Sequence, residues 1–175
     1  MPSKKKIALL VGKDFEDMEV MYPLYRLIEA GYDVDVIGEE PAGTKYIGKN
    51  GYPCVSTLDI SNAKAGDYAG LVAPGGWAPD KLRRNPKILR LVADIDRQGG
   101  VIASICHGPW ILISAGIVKG KKMTSTPALK DDLTNAGATW VDEEVTVDGR
   151  MVTSRKPDDL PAFMMEMVKM LGAPK

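Results

Sequence analysis

Cys106 stands where an apolar run, Val101 to Ile105, meets Gly108-Pro109. A thiol at the end of a buried strand, followed by a helix start, has the layout of a nucleophile elbow: the reactive side chain rides on a tight turn with a helix beneath it. Ala103, Ser104 and Gly108 are small enough for such a bend, and Pro109 suits a first helical turn, where its missing N–H costs nothing. The helix dipole is expected to favour thiolate over thiol. His107, the only histidine of the chain, follows the cysteine directly and is the one imidazole able to take its proton. The alternative is a buried structural cysteine at a strand end.

Two further stretches bring chemistry to the same place. Pro74-Gly75-Gly76-Trp77-Ala78-Pro79-Asp80 also follows a strand, and the N–H groups of Gly75 and Gly76 are expected to face a developing oxyanion. Asp80, ahead of a helical stretch, reads as an N-cap. Asp14-Phe15-Glu16-Asp17-Met18-Glu19 follows the first strand. Acidic residues there serve a helix dipole by default, but Glu16 or Glu19, buried beside a thiolate, would have a raised pKa and could donate a hydrogen bond to the sulfur.

The elements that must position these residues alternate along the chain. Ile7 to Val11 reads as a strand buried on both faces. It is followed by a helix capped by Asp14, with Met18, Met21, Tyr22, Tyr25 and Ile28 at helical spacing and a kink expected at Pro23. Tyr32 to Ile37 completes a βαβ unit. Pro41 to Asp59, rich in glycine, reads as a hairpin set off from the main sheet. Strands follow at Tyr68 to Ala73, Val101 to Ile105 and Lys122 to Ser125. Helices are expected at Pro86 to Gln98, Gly108 to Ala115, Pro127 to Ala136 and Asp158 to Leu171. Asp148-Gly149 turns a hairpin between Glu144 to Val147 and Met151 to Ser154. The methionines of the last helix, Met164, Met165, Met167 and Met170, read as core filling. The whole, 1–175, is expected to be one α/β domain with a mainly parallel sheet between two helical layers.

Composition narrows the function classes. Hydrophobic residues make up 45% of the 175, which places the chain among globular rather than disordered proteins. Twenty-three basic residues balance 23 acidic ones, so no electrostatic footprint for nucleic acid exists. One histidine is too few for three-histidine zinc sites or HExxH centres, and neither metal nor cofactor is expected. Two cysteines, Cys54 and Cys106, cannot form a disulfide framework and fit a reducing compartment; Cys54 reads as structural. The five apolar residues from Ile7 are far short of a membrane span, so a cytoplasmic protein without a membrane partner is expected.

ASICHGPWILISAG, LVAPGGWAPDKLR, DFEDMEVMYPLYRLIEAG and TSTPALKDDLTNAGATWVDEEVTVDG together resemble the PfpI family of intracellular cysteine peptidases, within the class I glutamine amidotransferase-like superfamily. The resemblance runs from Lys6 to Leu171. It implies a flavodoxin-like three-layer sandwich with a small β-hairpin excursion, a Cys106 nucleophile beside His107, Glu19 as the acid nearest the sulfur with Glu16 close by, and an oxyanion turn at Gly75 and Gly76. It also implies a homo-oligomer, a dimer or ring of dimers, in which a carboxylate from a neighbouring subunit, at the position of Asp80, orients the histidine. Three residues depart from the pattern. Asp80 is one methylene shorter than the usual Glu, Thr126 replaces a common Tyr, and Trp77 stands where some members have Arg.

The resemblance therefore implies a cysteine hydrolase acting on peptides or small amides. An alternative within the superfamily is deglycase or glyoxalase chemistry on methylglyoxal or its adducts, which needs less of a triad. A reading from another class is a stress chaperone or redox sensor whose Cys106 oxidises to a sulfinic acid.

Overall fold

A computed structural model describes residues 6–172. The strands are β1 (Lys6–Leu10), β2 (Val34–Gly38), β3 (Lys45–Ile47), β4 (Pro53–Val55), β5 (Leu58–Asp59), β6 (Tyr68–Ala73), β7 (Val101–Ile105), β8 (Lys122–Met123), β9 (Thr139–Trp140), β10 (Val145–Asp148) and β11 (Met151–Ser154). The α-helices are α1 (Asp17–Glu29), α2 (Ala78–Leu82), α3 (Pro86–Arg97), α4 (Pro109–Ser114), α5 (Lys130–Asn135) and α6 (Leu160–Leu171). Seven strands form the main sheet in the order β10-β11-β7-β6-β1-β2-β5, and every pairing in it is parallel except β10 with β11.

This order explains the three layers. The β1–α1–β2 crossover steps one way along the sheet and the β6–α3–β7 crossover steps the other way. With both crossovers right-handed, their helices fall on opposite faces. α6 packs beside α1, and α3 beside α4. The central strands are consequently apolar throughout: Ile7, Ala8 and Leu9 in β1, Leu71, Val72 and Ala73 in β6, and Val101, Ile102 and Ala103 in β7 are all fully buried. The reversal of direction lies between β1 and β6, where an open α/β sheet leaves a crevice at its carboxyl edge. In α6, Met164 and Met167 are fully buried as expected, whereas Met165 faces solvent.

Several local expectations need correcting. Asp14 does not cap α1. It adopts a left-handed backbone, φ 60°, and the N-cap position is Glu16, whose side chain makes no capping bond. α1 runs through Pro23 without a break, and Pro23 lies on the buried face with Val20 and Leu27. Met18, Tyr22, Tyr25 and Ile28 point outward instead, each more than a third exposed. β3 and β4 form the expected hairpin, but Leu58–Asp59 joins the main sheet as a parallel edge strand beside β2. The strand expected at Lys122 to Ser125 is only β8, paired with β9 in a separate two-stranded sheet. Asp80 lies inside α2 rather than capping it.

Candidate active site

The loops after β1, β6 and β7 meet at the carboxyl edge. Phe15 and Gly76 form an isolated antiparallel bridge; Trp77 N–H donates to Asp14 O at 2.8 Å and Glu16 N–H to Gly75 O at 3.1 Å. These bonds tie the start of α1 to the turn after β6. The third loop is anchored through Cys106, whose N–H donates to Ser154 O at 3.1 Å and whose carbonyl accepts from Thr126 N–H at 3.2 Å. Thr126 therefore supports the elbow through its backbone.

Cys106 has φ 61°, a left-handed conformation rare for a residue with a side chain. Strain of this kind concentrates at functional sites and persists only where surrounding bonds over-determine it. Its Sγ lies 3.2 Å from His107 Nδ1, so the turn does bring these neighbouring side chains together. The imidazole is flanked by Trp77 and Trp110, with ring centroids 5.4 and 5.0 Å away. Burial, then the nearby Lys49 ammonium, lowers the His107 pKa and keeps the ring neutral.

Glu19 is the fully buried acid of the site. Its Oε2 accepts from Gly75 N–H at 2.8 Å. Its Oε1 has no hydrogen-bond partner, and the polar side chain that bears on the carboxyl is the Cys106 thiol. Burial chiefly raises the Glu19 pKa, to about 8, and the Glu16 charge adds to this against the Gly75 bond. Cys106 moves the same way. Burial first and Glu19's charge second push it up to about 12, against the N–H groups of Gly76 and His107. This direction is the reverse of the lowering expected from a helix dipole, and its causes are desolvation and a neighbouring carboxylate. Thiol and carboxyl titrate as a coupled pair.

The oxyanion turn differs from expectation in one respect. Gly75 N–H is consumed by Glu19, so the amides turned toward the sulfur are those of Gly76 and His107. Gly75 is also tightly packed within the site. A Cβ there would lie 2.6 Å from Glu19 Oε2, 2.7 Å from Cys106 Cβ and 2.9 Å from His107 N. Gly75→Ala is therefore expected to lower the unfolding free energy by about 2–3 kcal/mol, measured by urea denaturation, because none of these atoms is a free side-chain end.

Glu16, also buried, pairs with Lys49 of the β3–β4 connection at 2.5 Å. Asp17 holds that connection by accepting from Asn50 N–H and Nδ2 and from Tyr52 N–H. Asp80 stays apart from His107 within the chain. It is half exposed and bonded to Arg84 one turn along. The sequence reading found Cys106, His107, Glu19, Glu16, Gly76 and Trp77, which the fold brings together, but missed Lys49, Asp17 and Trp110. The clue available for Lys49 was the Gly48-Lys-Asn-Gly51 turn, a tight loop carrying a cation.

Among the described residues no cluster of His, Cys, Asp and Glu could hold a metal ion, and no helix is long and apolar enough to cross a membrane.

Comparison with known proteins agrees with this fold. "Deglycase PH1704" of Pyrococcus horikoshii is 46% identical over 166 residues, 95% of this chain and 99% of that protein. "Protein/nucleic acid deglycase 2" of Escherichia coli is 41% identical over 172 residues, covering 97% and 99%. A two-domain Anabaena variabilis structure with DJ-1/ThiJ/PfpI-like and ferritin-like domains superposes with a TM-score of 0.94 at 40% identity; it covers 97% of this chain, which spans about half of that longer protein. The DJ-1/PfpI family model matches residues 5–170, and the chain belongs to the DJ-1/PfpI family.

Proposed function

We propose that the protein is a cysteine-dependent deglycase, acting on methylglyoxal adducts or the free α-oxoaldehyde, rather than a peptidase. The observation that carries this reading is the buried Glu19 carboxyl beside Cys106, with a pKa near 8. An acid of that strength releases and retakes a proton near neutral pH, as a proton shuttle must. The relatives named deglycases support the same choice.

The steps follow from the arrangement. The amine or thiol that carries the adduct leaves, restoring the aldehyde. The Cys106 thiol gives its proton to His107 Nδ1 and its sulfur bonds to the aldehyde carbon. Gly76 and His107 N–H groups face the resulting alkoxide. Glu19, as carboxylate, takes the proton from that carbon and delivers it to the adjacent carbonyl carbon, while His107 returns the thiol's proton to the oxygen on that second carbon. The first carbon is thereby oxidised and the second reduced, so no external redox agent enters. Water then cleaves the lactyl thioester, releasing lactate and restoring the thiol. Assembly as a homo-oligomer, a dimer or ring of dimers, is part of the reading. It is supported by the exposed stripe of Met18, Tyr22, Tyr25 and Ile28 on α1.

The test is to incubate the protein with methylglyoxal-modified Nα-acetylarginine and N-acetylcysteine and, separately, with chromogenic peptides. Lactate release with loss of adduct is expected. Peptide cleavage without lactate would return the assignment to the peptidase class.

A further inference from the structure

The β3–β4 hairpin is an excursion from the main sheet, yet its tip is clamped to the start of α1. Asp17 accepts three hydrogen bonds from Asn50 and Tyr52, at 2.9, 3.1 and 2.8 Å. Lys49 N–H donates to Phe15 O at 2.9 Å, and Asp14 N–H to Ile47 O at 2.9 Å. Gly48 fits only without a side chain, since a Cβ would lie 2.5 Å from Asp17 Cγ. Burial works to raise the Asp17 pKa, but the bonds from Asn50 and Tyr52 outweigh it and hold the carboxyl below its usual value. Asp17 is therefore a charged, permanent anchor. The product of the clamp is a single placement: the Lys49 ammonium on the buried Glu16 carboxylate.

We propose that Lys49 is a positioning residue, held on Glu16 by the hairpin clamp so that its cation stabilises negative charge on the Cys106 sulfur. Four ionisable groups are gathered around that sulfur: Glu19 on α1, His107 in the elbow with Nδ1 3.2 Å away and Lys49 on the hairpin tip act on it, and Glu16 at the N-cap of α1 acts on Glu19 and holds Lys49. Lys49 is the only permanent cation of the four. It favours the ionised form of Cys106 and of Glu19, and disfavours protonation of His107, which keeps the imidazole free to accept the thiol proton. Glu16 alone would do the reverse, by placing a second buried carboxylate beside Glu19. The pair is thus arranged with its cation, 42% exposed, offsetting an anion that is almost fully buried.

The proposal does not depend on which substrate is turned over, so its test uses none. Alkylation of Cys106 by iodoacetamide, a neutral reagent, is followed from pH 5 to 10 by mass spectrometry of the peptide containing Cys106, which separates it from buried Cys54. Lys49→Met is expected to slow alkylation by about tenfold throughout this range, which lies below the Cys106 midpoint, so that its profile runs parallel to the parent's and displaced by about one pH unit. Lys49→Arg, which keeps the charge, should stay within about twofold of the parent protein, and the double variant Glu16→Gln/Lys49→Met should recover most of the lost rate because cation and anion go together. A Lys49→Met profile that overlays the parent's would overturn the proposal. So would a double variant as slow as the single one, since the loss would then come from disturbed packing of the hairpin.

Discussion

Cys106→Ser is expected to abolish lactate formation from methylglyoxal, with kcat/KM falling roughly a thousandfold or more, and to leave the fold intact. Serine is close in shape to cysteine and meets the same left-handed backbone, φ 61°, so the bonds that hold the elbow, to Ser154 O and from Thr126 N–H, are unchanged. The difference is chemical. An alcohol is far less acidic than a thiol, and the groups around Cys106 do not make up that gap. Burial and the Glu19 charge oppose an anion at this point, and a neutral imidazole at 3.2 Å is a modest base. Equal turnover by the serine variant would remove Cys106 from the chemistry. A chaperone acting through its surface would instead suppress client aggregation equally well with either residue. Lactate assays and aggregation assays on one pair of proteins therefore separate the enzymatic reading from the chaperone one.

What the sequence disclosed and what it hid follow from the range of the interactions involved. The runs in β1, β6 and β7 were legible because a strand buried on both faces has no polar positions to confuse with another element. The residues at their carboxyl ends, Gly75, Gly76, Cys106 and His107, were legible for the same reason, as the first departure from each run. α1 misled because its inner face carries Asp17 and Glu19 beside Val20, Pro23 and Leu27, while its outer face carries Met18, Tyr22, Tyr25 and Ile28, a departure from the usual polarity rule. A helix that delivers a buried acid to a site must break that rule, and the violation itself marks the function. The two-residue strand β5 was too short to register against the glycine-rich context before it. Lys49 was hidden more deeply. Its place depends on bonds between the hairpin tip and Asp17, 33 to 35 residues away in sequence, and the Gly48-to-Gly51 turn marks a loop carrying a cation without saying what that loop packs against.

Glu19→Gln tests the acid directly, through stability as well as activity. The Glu19 carboxyl titrates near 4.5 when unfolded and near 8 when folded. Between those values the folded protein binds the extra proton, so stability falls as pH rises, by at most roughly 1.4 kcal/mol per pH unit and about 4 kcal/mol across the window. The full contribution of the neutral carboxyl is present below pH 4.5 and gone once pH passes 8. His107 runs the other way. Its lowered folded pKa makes the unfolded state the better proton binder, so that term raises stability as pH increases toward the ordinary histidine value. Glutamine cannot ionise, and its carbonyl can still accept from Gly75 N–H, so subtracting parent from variant cancels the His107 contribution and isolates Glu19. Urea denaturation at pH 5 should find the two proteins about equally stable, whereas at pH 8 the Gln variant should be the more stable by a few kcal/mol. Lactate formation should meanwhile drop by roughly a hundredfold or more, since the amide cannot carry a proton between the two carbons. A stability difference that stays flat from pH 5 to 8 would mean that Glu19 titrates in the folded protein as it does in the unfolded chain, without the near-neutral pKa on which the shuttle reading rests. Stability gained and activity lost at one atom, each with its own pH dependence, is the behaviour expected of an acid buried for chemistry rather than for folding.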